Sequence, residues 1–136
     1  MLIVDTNVLV DILQDDPQWA GWSIGQLRAQ SKVHELVINP VIYAELSLMF
    51  EAVEALDAAV QRMELRFQEL PLPSLFLAGK AFIRYRREGG NKQNVLPDFF
   101  IGAHAAVQRC GILTRDTRRY RPYFPTVDLL APTAAQ

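Results

Sequence analysis

The sequence predicts an α/β domain built on a parallel sheet. Short apolar runs at 2–4, 36–38 and 112–114 read as buried strands. Segments of helical period separate them, and strands alternating with helices in this way favour parallel pairing. Helix starts are punctuated by cap residues and prolines, as at Asn39-Pro40 and Pro97.

The strand 2–4 leads into a helix over 6–14. Asp15-Asp16-Pro17 breaks the chain and restarts it, with Asp16 as N-cap and Pro17 at the first position of a helix over 17–30. That helix places Trp19 and Trp22 on one face. After strand 36–38, Asn39-Pro40 repeats the cap-then-proline signal and opens a helix over 40–50 that is apolar nearly all round. Val53, Leu56, Val60 and Met63 recur at helical spacing in a helix over 53–66. A short strand at 68–70 and the turn Leu70-Pro71-Leu72-Pro73-Ser74 precede a helix over 74–87, and Glu88-Gly89-Gly90-Asn91 is the clearest break in the chain. Pro97 opens a helix over 97–110, stopped by Gly111. Strand 112–114, a helical turn at 117–121 and an edge strand at 127–130 complete the domain, 1–130, and the tail 131–136 is expected to fray.

At 136 residues, 50% hydrophobic and 21% charged, the chain has the size and balance of one globular domain. Its single cysteine, Cys110, cannot form an internal disulfide and reads as a packing residue. Asp5 interrupts the first apolar run too early for a signal peptide, and VIYAELSLMF is too short for a membrane span, so a cytoplasmic protein is expected. Charge is lopsided. Residues 1–79 hold four Lys/Arg against eleven acids, a net of −7, whereas residues 80–121 hold ten against three, a net of +7. A basic half of this kind suits a polyanion or simply complements the acidic half.

Parallel sheets bind ligands at the carboxyl ends of their strands, near the topological switch point, so strand-end acids are the candidates. Asp5 follows strand 2–4 and Asp116 follows strand 112–114; each can equally cap the helix or turn after it. Asp98 stands in the first turn after Pro97, where the helix dipole favours an acid. Glu45 is different. A helix apolar on every face should be buried, and a lone carboxylate there costs on the order of several kcal/mol. Glu45 therefore needs a cation (an arginine, or a metal ion shared with other acids), a proton or an opening to solvent. Should its helix pack beside strand 2–4, four acids converge and raise one another's pKa. A hard cation with oxygen ligands, Mg2+ or Mn2+, relieves that repulsion. His34 and His104 are too far apart in sequence for a zinc pattern, and His104 in IGAHAAV reads as a core residue.

The stretches MLIVDTNVLV, NPVIYAEL with Glu45, LPDFFIGAHA with Asp98 and ILTRDTRRYRPYFP with Asp116 resemble the PIN-domain ribonucleases, and within them the VapC-type toxins of VapBC toxin–antitoxin pairs. The resemblance spans the first strand to about Pro125. It implies a single three-layer α/β/α domain around a central parallel sheet, with Asp5, Glu45, Asp98 and Asp116 as catalytic, metal-holding acids and Thr6, Asn7 and Thr114 supporting them. One or two Mg2+ or Mn2+ ions would activate water for in-line attack on RNA, leaving 5′-phosphate and 3′-hydroxyl ends. Arg115, Arg118, Arg119, Arg86, Arg87 and Lys92, with Arg84 and Arg121, are the candidates for RNA phosphates, and Arg115, beside Asp116, is the foremost of them. Tyr85, Tyr120, Tyr123 and Phe124 either stack bases or fill the core. A cognate VapB-type antitoxin and a second copy of the chain are the implied protein partners, with Trp19 and Trp22 either lining that groove or packing in the core.

Two rivals remain open at this point. A haloacid-dehalogenase-type phosphatase would need a second acid two positions after its nucleophile, where this chain has Asn7. A catalytically silent PIN-like binding module would not need the full set of acids.

Overall fold

The computed structural model describes residues 1–92 and 95–133. Five strands, β1 (Leu2–Val4), β2 (Leu36–Ile38), β3 (Arg66–Phe67), β4 (Gly111–Leu113) and β5 (Leu129–Leu130), form one sheet ordered β3-β2-β1-β4-β5, with every neighbouring pair parallel. The crossovers carry α1 (Thr6–Leu13), α2 (Ala20–Ser31), α3 (Pro40–Ser47), α4 (Val53–Arg62), α5 (Leu72–Arg87), α6 (Leu96–Gln108) and α7 (Tyr120–Tyr123). Every residue of β1 and β2 is buried, so helices cover both faces and the layers run α/β/α. From β1 the chain steps outward through β2 to β3, then returns to the other side of β1 for β4 and β5. The order therefore switches between β1 and β4, and their carboxyl ends deliver Asp5 and Thr114.

Two caps read from the sequence are present. Asp5 Oδ1 accepts from the Thr6 backbone N–H at 2.8 Å, and Asn39 Oδ1 accepts from that of Ile42 at 3.0 Å ahead of Pro40. Asn39 also turns its amide toward His104 Nδ1, 3.1 Å away, tying the start of α3 to the fully buried histidine of α6. Cys110 is half-buried, and burial pushes its thiol upward.

Other boundaries moved, each for a local reason. Asp16 caps a turn by accepting from the N–H groups of Gln18 and Trp19, and regular helix begins only at Ala20. The two tryptophan rings still meet edge to face, 6.3 Å apart. The helix expected to reach residue 66 ends at Arg62, because Glu64 takes a left-handed φ of 56° and throws Leu65 into the core. That brings β3 to Arg66–Phe67 rather than 68–70. Pro71 starts α5 two residues early. Gly111 does not stop α6. Arg109 does so in the left-handed region, φ 55°, while Gly111 opens β4 where a Cβ would stand 3.0 Å from the Asp128 carbonyl oxygen, a tight contact. The helical turn lies at 120–123, and the edge strand is confined to Leu129–Leu130. Of the tail 131–136, residues 131–133 carry no regular structure and 134–136 lie outside the described residues. Among the described residues, no helix is long and apolar enough to cross a membrane.

The largest correction concerns α3. It ends at Ser47 and is not buried all round: Ile42 and Leu46 face the core, but Ala44 and Ser47 are exposed and Leu48, just beyond, is 87% exposed. Glu45 is half-buried at the margin, so the premise that its helix was too apolar to reach water does not hold.

Candidate active site

β1 hands the chain to α1 through Asp5, whose N–H continues the sheet ladder to the Leu113 carbonyl at 2.9 Å. The carboxylate is buried and surrounded by donors. Thr114 Oγ1 and Tyr120 OH each donate to Oδ2 at 2.8 Å, while the Thr6 N–H serves Oδ1. Asn7 bridges the two strand ends: its amide donates to Thr114 Oγ1 at 3.2 Å, and its Oδ1 accepts from the Arg115 N–H at 3.1 Å. Thr6 Oγ1 donates to Glu45 Oε1 at 2.6 Å, binding α3 to the same corner.

Burial pushes the Asp5 carboxyl upward, against the hydrogen bonds from Tyr120, Thr114 and Thr6; the charge of Glu45 adds to the rise. Asp98, in the first turn of α6, is pushed up to about 7. Burial is the main cause, and the charges of Asp5, Glu45 and Asp116 add to it against the nearby Arg119. Asp98 thus feels all three other acids. Asp116 goes the other way. The Arg118 side chain grips it with Nε at 3.0 Å from Oδ1 and Nη2 at 2.7 Å from Oδ2, holding its carboxyl below the usual range.

The four acids therefore share one electrostatic corner at the β1/β4 switch point. The donor set is all oxygen, the chemistry of Mg2+ or Mn2+ rather than zinc. Among the described residues, no three acid, histidine or cysteine side chains stand close enough together to hold an ion as they are. Asp116 is turned to Arg118, and Glu45 to Thr6.

The basic candidates divide. Arg115 is already committed: its Nε and Nη2 donate to the Asp11 carboxylate at 2.7 and 2.9 Å, and its guanidinium lies over the Trp19 ring. Arg119 lies over the Tyr85 ring, and its buried Nε has no partner among the described residues. Arg86 sits over Phe82, Arg84 pairs with Glu88, and Arg87, Lys92 and Arg121 are exposed. A cleft of about 850 Å3 opens beside Asp116, lined by Trp19, Arg115, Thr117, Arg118 and Arg121 among others. Tyr85 and Phe124 are core residues.

Asp11 was not expected at this corner, and Tyr120 was expected only to stack a base or fill the core. Tyr120 carried no signal beyond being an aromatic near Asp116. Asp11 did carry one: it lies three residues after Val8 on the buried face of α1, an acid where an apolar residue belongs, with Ser23 Oγ donating to it at 3.0 Å.

The family model of the PIN domain matches residues 2–125. No curated protein sequence matches the chain. Solved structures share its fold. One is VapBC2 from Rickettsia felis bound to a DNA fragment from their promoter (TM-score 0.71, 17% identity, 94% of this chain and 96% of that one). Another is VapBC-1 from nontypeable Haemophilus influenzae (TM-score 0.71, 15% identity, 96% of each chain). A third is a toxin–antitoxin complex from Klebsiella pneumoniae (TM-score 0.66, 19% identity, 93% and 95%). The phosphatase alternative gains no support from these matches, and Asn7 is occupied as a bridge between strand ends.

Proposed function

The chain belongs to the PIN domain family, and on that premise we propose that it is a Mg2+- or Mn2+-dependent endoribonuclease, the VapC-type toxin of a pair restrained by a cognate VapB-type antitoxin. The observation that carries this reading is the convergence of carboxylates on Asp98, whose pKa of about 7 marks a corner short of positive charge. PIN domains are generally nucleases, and the VapBC structures sharing this fold support the toxin reading.

Asp5, Asp98 and Asp116 would hold the cation, and Glu45 would reach it directly, through water, or orient the attacking water. Bound there, the cation would draw a phosphate oxygen and lower the pKa of a water for in-line attack. Thr6, Asn7 and Thr114 keep the acids in register through the hydrogen bonds described above. Arg118, Arg119, Arg121, Arg86, Arg87 and Lys92 supply positive charge for RNA phosphates, and the cleft beside Asp116 gives a strand room to lie. Arg115 contributes to that cleft from its ion pair with Asp11. The toxin acts in the cytoplasm as a homodimer.

The decisive experiment incubates the purified full chain with RNA and, in parallel, DNA of the same sequence, with and without EDTA. RNA cleavage restored by Mg2+ and lost in Asp5→Asn is expected. Cleavage that survives EDTA, or full activity in Asp5→Asn, overturns the proposal.

A further inference from the structure

An ionised carboxylate oxygen offers two in-plane lone pairs. On Asp5 the two oxygens are filled unequally. Oδ2 receives the hydroxyls of Tyr120 and Thr114, both at 2.8 Å, with the Asn7 amide further off at 3.5 Å. Among the described residues Oδ1 receives one donor, the Thr6 N–H, which leaves it one lone pair. We propose that Tyr120, together with Thr114, is a positioning residue that saturates Oδ2 of Asp5 and leaves Oδ1 as the single oxygen by which Asp5 holds a divalent cation. This deepens the metal-dependent reading above and rests on it.

Tyr120 is built for the task. Its ring is buried at the start of α7, and the Phe124 N–H closes that turn on the Tyr120 carbonyl at 2.8 Å, so the phenol cannot swing away without opening the core. A phenol hydroxyl, with an ordinary pKa of about 10, is a donor at working pH, and this one reaches Oδ2 directly. The consequence is size selectivity. A carboxylate limited to one oxygen suits the small, octahedral Mg2+. A carboxylate free to offer both suits Ca2+, which takes six to eight ligands and accepts bidentate acids.

The test is calorimetric titration of the EDTA-stripped full chain with MgCl2 and with CaCl2, without RNA. Tyr120→Phe keeps the ring and empties one lone pair of Oδ2. Its Mg2+ affinity should fall by roughly tenfold or more, while the ratio of Ca2+ to Mg2+ affinity rises. Thr114→Val should shift the ratio the same way, and Thr114→Ser, which keeps the hydroxyl, should restore it. Phe124→Leu, a core change beside Tyr120, should lower Tm without moving the ratio. Should Tyr120→Phe fail to fold, the Thr114→Val and Thr114→Ser pair decides. A wild type that binds Mg2+ while the hydroxyl-deleted variants keep its selectivity overturns this proposal alone. A wild type that binds no Mg2+ overturns the metal-dependent reading and this one with it.

Discussion

Arg115 and Asp11 form a two-pronged ion pair, with Nε 2.7 Å from Oδ2 and Nη2 2.9 Å from Oδ1, across 104 positions of sequence. The Asp11 side chain is 2% exposed and that of Arg115 30%. The pair fastens the first residue of the loop bearing Asp116 to α1, the helix that Asp5 caps.

Because only one partner is fully buried, the two deletions should differ. Arg115→Ala strands a buried charge and should cost about 3–5 kcal/mol, whereas Asp11→Ala releases an arginine that water can reach and should cost less. The double variant should cost less than the sum of the two. Urea unfolding of the three proteins measures this; equal single costs that add would show the pair to be uncoupled.

Asp98 makes metal-free stability depend on pH. Its folded pKa of about 7 lies above the unfolded value of 3.8, so the folded state holds the extra proton between them. Raising the pH through that window removes stability. In EDTA, Asp98→Asn should be more stable than wild type at pH 8 by about 1–2 kcal/mol, allowing for the part of the carboxyl that water reaches, and equal to it at pH 4. Thermal unfolding at the two pH values checks it.

His104 imposes the opposite slope. Asn39 Oδ1 accepts from the Ile42 N–H, so the amide nitrogen must donate to His104 Nδ1, and the ring proton resides on Nε2. That Nε2 has no partner among the described residues, and burial lowers the imidazole pKa. The unfolded chain takes up a proton first, so stability is lost as pH falls below about 6.5. His104→Leu should flatten this acid limb in an Asp98→Asn background, and 15N shifts should show the Nε2–H tautomer.

Gly102 lies where α6 meets Phe124. A Cβ at this position would come within 2.3 Å of Phe124 Cδ2. Gly102→Ala should therefore destabilise by about 1–3 kcal/mol through forced repacking. With Phe124 reduced to Leu in the same chain, the penalty should shrink, as chemical denaturation will show.

The sequence made the centre of the fold legible and its margins less so. β1, β2 and the Asp5 and Asn39 caps follow from residues adjacent in the chain. The end of α4 depended on Glu64 accepting a left-handed backbone, and the end of α6 on Arg109 doing so, choices that tertiary packing imposes on residues with no such preference. At the site, the four acids were visible as strand-end or helix-borne carboxylates. Glu45 was singled out because its helix looked wholly apolar, yet Leu48 faces solvent. The same reasoning applied to α1 would have found Asp11, which is buried. The contact of Tyr120 with Asp5 was out of reach, since the two lie 115 positions apart.

That separation sets an order of events during synthesis. Asp5 is made well before the hydroxyls that fix it, which arrive 109 and 115 positions later, with β4 and α7. Bringing β4 beside β1 closes most of the chain into a loop, a late step in folding on entropic grounds. A nascent chain that has emerged only as far as β3 thus carries Asp5 and Glu45 without Thr114, Asp116 or Tyr120, and the acidic corner is completed only once β4 and α7 have followed.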